Sequence, residues 1–252
     1  MSDRIYLYAI AEADSIDALD ATGVRDAAVE LLREGDLAAV VSPAPEGKLR
    51  PRRRNLAAHH DLLKALMEQA TILPMAFGVL ADSRDQVSDF LRRHVGTLRG
   101  QLEQVRGHAE IGLRVEWNVD DIFTHFVEQY DDLRTLRDSV YAGEAEPSRQ
   151  EKIHLGEQFD AFLQDARAAH RRTVEAHLRE VCRAIEGDEP TDETDVMNLA
   201  CLVPRDGIER FEEALGAAAQ EFSDDFTFTY TDSMAPYSFA DVAFEETQAS
   251  GG

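Results

Sequence analysis

The sequence predicts an α+β protein of two domains: a small N-terminal α+β unit over residues 1–107, and a modified ferredoxin-like domain over residues 108–252 whose first helical connection is enlarged. Three observations carry this reading. Segments of period two and of period 3.6 alternate along the chain without an internal repeat. A chain of 252 residues can bury two ordinary cores. Charge is also split unevenly: residues 1–107 carry 16 Asp and Glu against 14 Lys and Arg, whereas residues 108–252 carry 33 against 12.

In the first half, Ile5-Tyr6-Leu7-Tyr8-Ala9-Ile10 and Leu37 to Val41 have the branched and aromatic composition of strands. Between them, Val24 to Leu32 predicts a short helix ended by Gly35. Lys48 to Arg54 is a basic connection holding Pro51. From Leu56, the residues Leu62, Leu63, Leu66, Met67 and Ala70 mark a wide apolar helical face. Thr71 to Leu80 reads as a third strand, and Pro74, which has no N–H to give a ladder, places it at an edge or bulge. Ser83 and Gln86 have capping-box spacing before a helix bearing Val87, Phe90, Leu91, Leu98, Leu102 and Val105, which runs to Gly107.

The second half opens on strict alternation, Ile111, Leu113, Val115 and Trp117 against Gly112, Arg114 and Glu116, as in a half-buried strand. Asp120 or Asp121 caps a helix carrying Ile122, Phe126, Val127, Leu133 and Leu136, and a break spans residues 143–147. A longer helix carries Phe159, Leu163, Ala166, Leu178, Val181 and Ile185 and ends at Gly187, followed by an acidic turn to Asp195. Val196 to Val203 is a strand, Asp206 and Glu209 form another capping box, and Phe226, Phe228 and Tyr230 alternate with threonines in a further strand. Pro236 to Phe244 is the candidate terminal strand, and a disordered tail is expected at about residues 246–252.

Composition narrows the function. A formal net charge of −23 disfavours nucleic acid and anionic membrane surfaces, both of which need a basic footprint. The start, Met1 to Ile10, lacks the basic and apolar regions of a signal peptide, so a cytoplasmic protein is expected. Cys182 and Cys201 then read as buried free thiols. The eight histidines fall in no HExxH or zinc-finger spacing, and GxGxxG, GxxxxGK[ST] and GxSxG are missing. No catalytic residue, metal or cofactor is therefore assigned.

Two features invite an interaction reading. Lys48, Arg50, Arg52, Arg53 and Arg54 concentrate cations near a helix start, where they oppose the macrodipole. They are an exposed loop or an electrostatic clamp, onto the acidic second half or onto an acidic partner. The run from Ile72 to Leu80 is a core strand or an edge that accepts a strand from another chain. On the second reading Leu73, Pro74, Met75 and Phe77 are the contact residues, joined by Tyr237 and Phe239.

Those segments also carry a family resemblance. His59-His60-Asp61-Leu62-Leu63 leading into Thr71-Ile72-Leu73-Pro74-Met75-Ala76-Phe77-Gly78 resembles the signature of the gas vesicle protein F/L family. Gly107 to Asn118 with its Glu-Ile-Gly-Leu-Arg-Val-Glu-Trp run, Glu151-Lys152, Leu155-Gly156, Met197 to Val203 and Pro236-Tyr237-Ser238-Phe239 continue the likeness in order, over roughly residues 4 to 244. Where members have a Gly and Trp-Pro-rich lead into Pro-Tyr-Ser-Phe, this chain has Thr231-Asp232-Ser233-Met234-Ala235. The resemblance implies an accessory or minor structural protein of gas vesicle formation that contacts the small apolar shell protein and other accessory proteins, without catalysis. The rivals are a small-metabolite enzyme on a ferredoxin-like scaffold and an integral minor component of the shell.

Overall fold

The computed structural model describes residues 4–16, 21–45, 47–143 and 146–244. They divide into two compact units, the chain up to Glu110 together with the segment from Ser233, and Ile111–Asp232 between them. The sequence reading closes the first domain at residue 107 and leaves the C-terminal segment with the second. Residues 233–244 cluster instead with the first unit, where Glu110 and Met234 exchange backbone hydrogen bonds of 2.9 and 2.8 Å. The segment adds no regular strand, and the expected tail lies outside the described residues.

The first unit is built around β1 (Ile5–Glu12), buried along both faces. β3 (Leu37–Pro43) pairs with one side of it, and β2 (Glu30–Glu34) pairs with β3. The other side takes β4 (Ile72–Pro74) and β5 (Leu80–Ala81), so the third strand expected over residues 71–80 is two short strands joined by a turn. β4 ends the order β2-β3-β1-β4, an edge position where Pro74 forfeits no ladder bond inside the sheet. Helix α1 (Arg53–Gln69) turns Leu62, Leu63, Leu66 and Met67 toward Tyr6 and Tyr8. Helix α2 (Arg84–Val105) starts at Ser83, whose Oγ accepts from Gln86 N–H at 3.2 Å, while the Gln86 side chain accepts from Asp82 N–H at 2.7 Å. The expected helix over residues 24–32 is only a short 3-10 turn, Val24–Asp26. Residues Glu30 to Glu34 are claimed by β3, and Gly35 at φ +58° supplies the positive φ of a two-residue hairpin loop.

The second unit opens in β6 (His108–Trp117), whose Ile111, Leu113, Val115 and Trp117 all enter the core. Asp121 caps α3 (Ile122–Gln129) by accepting from Thr124 N–H at 2.6 Å. The single helix expected through Leu136 breaks at Tyr130, which has an extended backbone, and α4 (Asp131–Tyr141) follows. The break expected over residues 143–147 includes 144 and 145, outside the described residues. Helix α5 (Arg149–Leu178) starts in a capping box made by Ser148 and Glu151 and stops at Leu178, short of the expected Gly187. Residues Ala184–Asp188 pair with β8 (Asp195–Pro204) as β7, which the helical spacing of Val181 and Ile185 concealed. Helix α6 (Ile208–Ala219) takes Gly207 as its N-cap, with no side-chain cap from Asp206. Strand β9 (Phe226–Tyr230) pairs antiparallel with β6, completing the sheet order β7-β8-β6-β9. With α3 to α5 taken as one connection, the chain order is β-α-β-β-α-β.

The acidic turn before β8 folds around one carboxylate. Asp195 is fully buried, and its Oδ1 accepts from Arg114 Nε and Nη2 at 2.9 and 2.6 Å. Its Oδ2 accepts from Thr191 N–H and Oγ1–H at 2.9 Å each and from Asp192 N–H at 3.0 Å. Buried Arg167 donates to the carbonyls of Asp195, Asp192 and Glu193 at 2.7, 2.9 and 3.0 Å. Burial opposes the charge on Asp195, but the bonds from Arg114, Thr191 and Asn198 outweigh it and hold the carboxyl far below its usual range.

Candidate functional site

Tyr6, the Met75 carbonyl and Tyr237 meet around His59 in the first unit. This imidazole sits on the core face of α1, in step with Leu62, Leu63 and Leu66, and is 3% exposed. Burial drives its pKa down to about 4, only partly offset by a hydrogen bond to the Met75 carbonyl, so the ring is neutral at pH 7. Neutrality fixes the tautomer. Met75 O can only accept, so Nε2 carries the proton and donates to it at 3.1 Å, with the Tyr237 hydroxyl oxygen 3.2 Å from the same nitrogen. Nδ1 must then accept, and Tyr6 donates its hydroxyl to it at 3.0 Å while receiving Gly78 N–H at 2.8 Å.

A parallel relay runs through Tyr8. Val24 N–H donates to its hydroxyl at 2.9 Å, that hydroxyl lies 3.0 Å from Ser42 Oγ, and Ser42 donates to Pro43 O at 3.2 Å. Burial raises the pKa of both tyrosines and pushes Tyr237 up to about 12. The rings are packed as well as bonded: Tyr6 and Tyr8 have centroids 4.5 Å apart, and Phe77 stands edge-on to His59 at 5.8 Å. Gly23 makes room for the relay, since a Cβ there would lie 2.1 Å from the Tyr8 hydroxyl oxygen. Gly23→Ala is therefore expected to destabilise the first unit by about 1–3 kcal/mol in urea unfolding, the usual cost of overpacking a filled core.

The C-terminal segment is held to this unit by a second buried carboxylate. Glu110 is 6% exposed and accepts from Ser238 N–H at 2.8 Å and Ser238 Oγ at 2.9 Å. The Phe244 ring meets Phe90 of α2 at 4.9 Å. Residues 59–63, 71–78 and 236–239, far apart in the chain, thus share one network.

The residues expected to contact a partner separate into three groups. Met75, Phe77 and Tyr237 come together at His59, with Phe77 and Tyr237 half-buried and Met75 buried. Leu73, Pro74 and Phe239 are buried within the same unit. Arg52, Arg53 and Arg54 stand exposed at the start of α1, which has no acidic residue in its first turn and no side-chain cap. None of the three forms an ion pair with a described residue. Sequence reasoning did not assign Tyr6, Tyr8, His59, Glu110 or Ser238. Two signals could have marked some of them as buried: the step of His59 with the leucines of α1, and the unbroken apolar run around Tyr6 and Tyr8. Among the described residues, no group of three or more His, Cys, Asp or Glu side chains is arranged to hold a metal ion, and no helix is long and apolar enough to cross a membrane.

Residues 4–241 match the family described as gas vesicle synthesis protein GvpL/GvpF. The chain belongs to the GvpL/GvpF family. Gas vesicle protein F of Dolichospermum flosaquae is 25% identical over 245 residues, covering 96% of this chain and 99% of that protein. Gas vesicle protein F of Haloferax mediterranei is 24% identical across the full length of both chains, and gas vesicle protein L of a Streptomyces species is 27% identical over 99% of each. Among solved structures, the gas vesicle protein GvpF from Anabaena sp. PCC7120 superposes with a TM-score of 0.84 at 22% identity, over 96% of this chain and 100% of that one. GvpF from Microcystis aeruginosa gives a TM-score of 0.82 at 22% identity, over 95% and 100%. The two-unit α+β fold is thus the GvpF fold, and the network around His59 joins three of the segments on which the family resemblance rests.

Proposed function

We propose that this GvpL/GvpF-family chain is a cytoplasmic accessory protein of gas vesicle assembly that binds the small apolar shell protein and aids its soluble delivery or incorporation, without covalent chemistry. The meeting of residues 59–63, 71–78 and 236–239 in one unit, in a chain of this family, is the observation that carries the reading. A shell subunit with a strongly apolar face aggregates in water unless escorted. A carrier with net charge −23 supplies solubility, and β4, which ends the sheet order, is the strand to which a client strand would add once its buried edge is uncovered. On this reading Leu73, Pro74 and Met75 shape the edge from inside the fold, Phe239 is buried in the same unit, and half-buried Phe77 and Tyr237 are the side chains within reach of the client.

Arg52, Arg53 and Arg54 are the second contact, facing an acidic partner surface. Cations at a helix start weaken the helix by roughly 0.3–1 kcal/mol each, so they work against the fold they belong to. Joint reversal to glutamate is expected to leave the thermal midpoint unchanged or higher while reducing shell-protein binding at low salt. A fall in the midpoint with binding intact would remove these residues from the interface.

The overall test is co-purification of the shell protein with the full chain, compared with Phe77→Ala and Tyr237→Ala. The proposal expects retention by the parent and at least tenfold weaker retention by folded variants. Failure of the folded parent to retain the shell protein would end it.

A further inference from the structure

We propose that Cys182 and Cys201 form a peroxide-oxidisable dithiol, a reversible disulfide site in the second unit. Cys201 lies on β8 and is fully buried, while Cys182 is half-buried in the short connection between α5 and β7. Their side chains are hydrogen-bonded to each other, and both pack on the same apolar cluster. The backbone holds them in place: Arg183 N–H donates to Leu202 O at 2.8 Å, and Ile185 stands opposite Cys201 in the β7–β8 ladder.

Cys182 is also reachable. It lines an open surface cavity of about 260 Å³ together with Glu175, Arg179, Arg183, Ala184 and Ile185. Arg179 and Arg183 line the same cavity, and its one carboxylate, Glu175, is engaged by Arg171 at 2.6 Å. The contact with Cys201 holds the Cys182 thiol below its ordinary range, although burial opposes this.

The chemistry balances with hydrogen peroxide as oxidant. The Cys182 thiolate attacks one peroxide oxygen, an S–O bond forms as O–O breaks, and the departing hydroxide takes a proton to become water. Cys201 then gives up its proton and attacks the Cys182 sulfur. The S–S bond forms, S–O breaks, and hydroxide leaves with that proton as a second water. Two electrons pass from the sulfur pair to the peroxide, and a thiol reductant reverses the change.

The test uses the full reduced chain, treated with a few equivalents of hydrogen peroxide, alkylated and mapped without reduction. A Cys182–Cys201 peptide is expected, with free thiols falling from two to none and returning on reduction. The thermal midpoint of the second unit should rise by several degrees, because the bond closes a loop of about 20 residues. Cys201→Ser should arrest Cys182 as a sulfenic acid that dimedone traps, and Cys182→Ser should leave Cys201 unreactive. Two free thiols after treatment, or cross-links only between chains, would overturn the proposal, and the parent map decides this even if a serine variant fails to fold.

Discussion

Asp195→Ala is expected to destabilise the second unit by about 3 kcal/mol, the lower end of what breaking a buried, hydrogen-bonded charge pair costs. The carboxylate is the point on which the β7–β8 turn is folded. Removing it strands the Thr191 and Asp192 amides and leaves Arg114 without its buried partner. The lower end applies because the Arg114 side chain is 47% exposed, so solvent compensates part of the loss. Arg167 keeps its carbonyl partners only while that turn stays folded. The chain has a single tryptophan, Trp117, buried in this unit, so its fluorescence in urea reports the transition directly. A change below about 1 kcal/mol would mean that water replaces the carboxylate at little cost. The pH dependence has a definite sign: a carboxyl held below its ordinary range contributes stability above that range, and the contribution is lost as pH falls through the folded-state value.

The second large effect is acid sensitivity of the first unit. His59 has a pKa of about 4 in the fold, against about 6.5 in an unfolded chain. Between these values the unfolded chain binds a proton that the native ring refuses, so stability is intact above pH 6.5 and falls as pH drops toward 4. The full loss is about 3 kcal/mol, at roughly 1.4 kcal/mol for each pH step of one between the unfolded and folded values. Protonation puts a charge in the core and replaces the acceptor at Nδ1 by a donor facing the Tyr6 hydroxyl. His59→Gln retains a donor for Met75 O and an acceptor for Tyr6 but does not titrate. Calorimetry of both proteins from about pH 7 to about 4.5, the range in which His59 titrates in the unfolded chain, should therefore show the parent's midpoint falling faster. Parallel curves would contradict the assigned neutral state.

Elements whose signals are local were legible in the sequence. Alternation in β6, the cap at Asp120 or Asp121, which the structure places at Asp121, and the Ser83 start of α2 each depend on residues within a few positions of one another. Strands β2 and β7 were not, since each is defined by its pairing partner. Glu30 to Glu34 looks helical until β3 is laid beside it, and Ala184–Asp188 follows a helix whose apolar spacing continues past its end at Leu178. The candidate site was half legible for the same reason. Residues 71–78 and 236–239 stand out as segments, yet their meeting at His59 depends on Glu110 drawing residues 233–244 back to the first unit, a contact 128 positions apart in sequence.

The same distinction bears on how the chain would handle a client. Leu73 and Met75 were expected to touch a partner because they are apolar beside an edge-forming proline, but both are buried in the parent fold. Residues 72–75 are buried as whole residues, backbone included, so strand addition at β4 on the proposed reading requires that edge to be uncovered first. On the proposed reading, hydrophobic contact falls to Phe77 and Tyr237, and long-range attraction to the exposed arginines of α1.

Amide hydrogen exchange on the full chain, with and without the shell protein, tests strand addition at β4 most directly. Added protection is expected in residues 72–80, with a smaller gain across 236–239. Unchanged exchange in both segments while the shell protein is bound would contradict it.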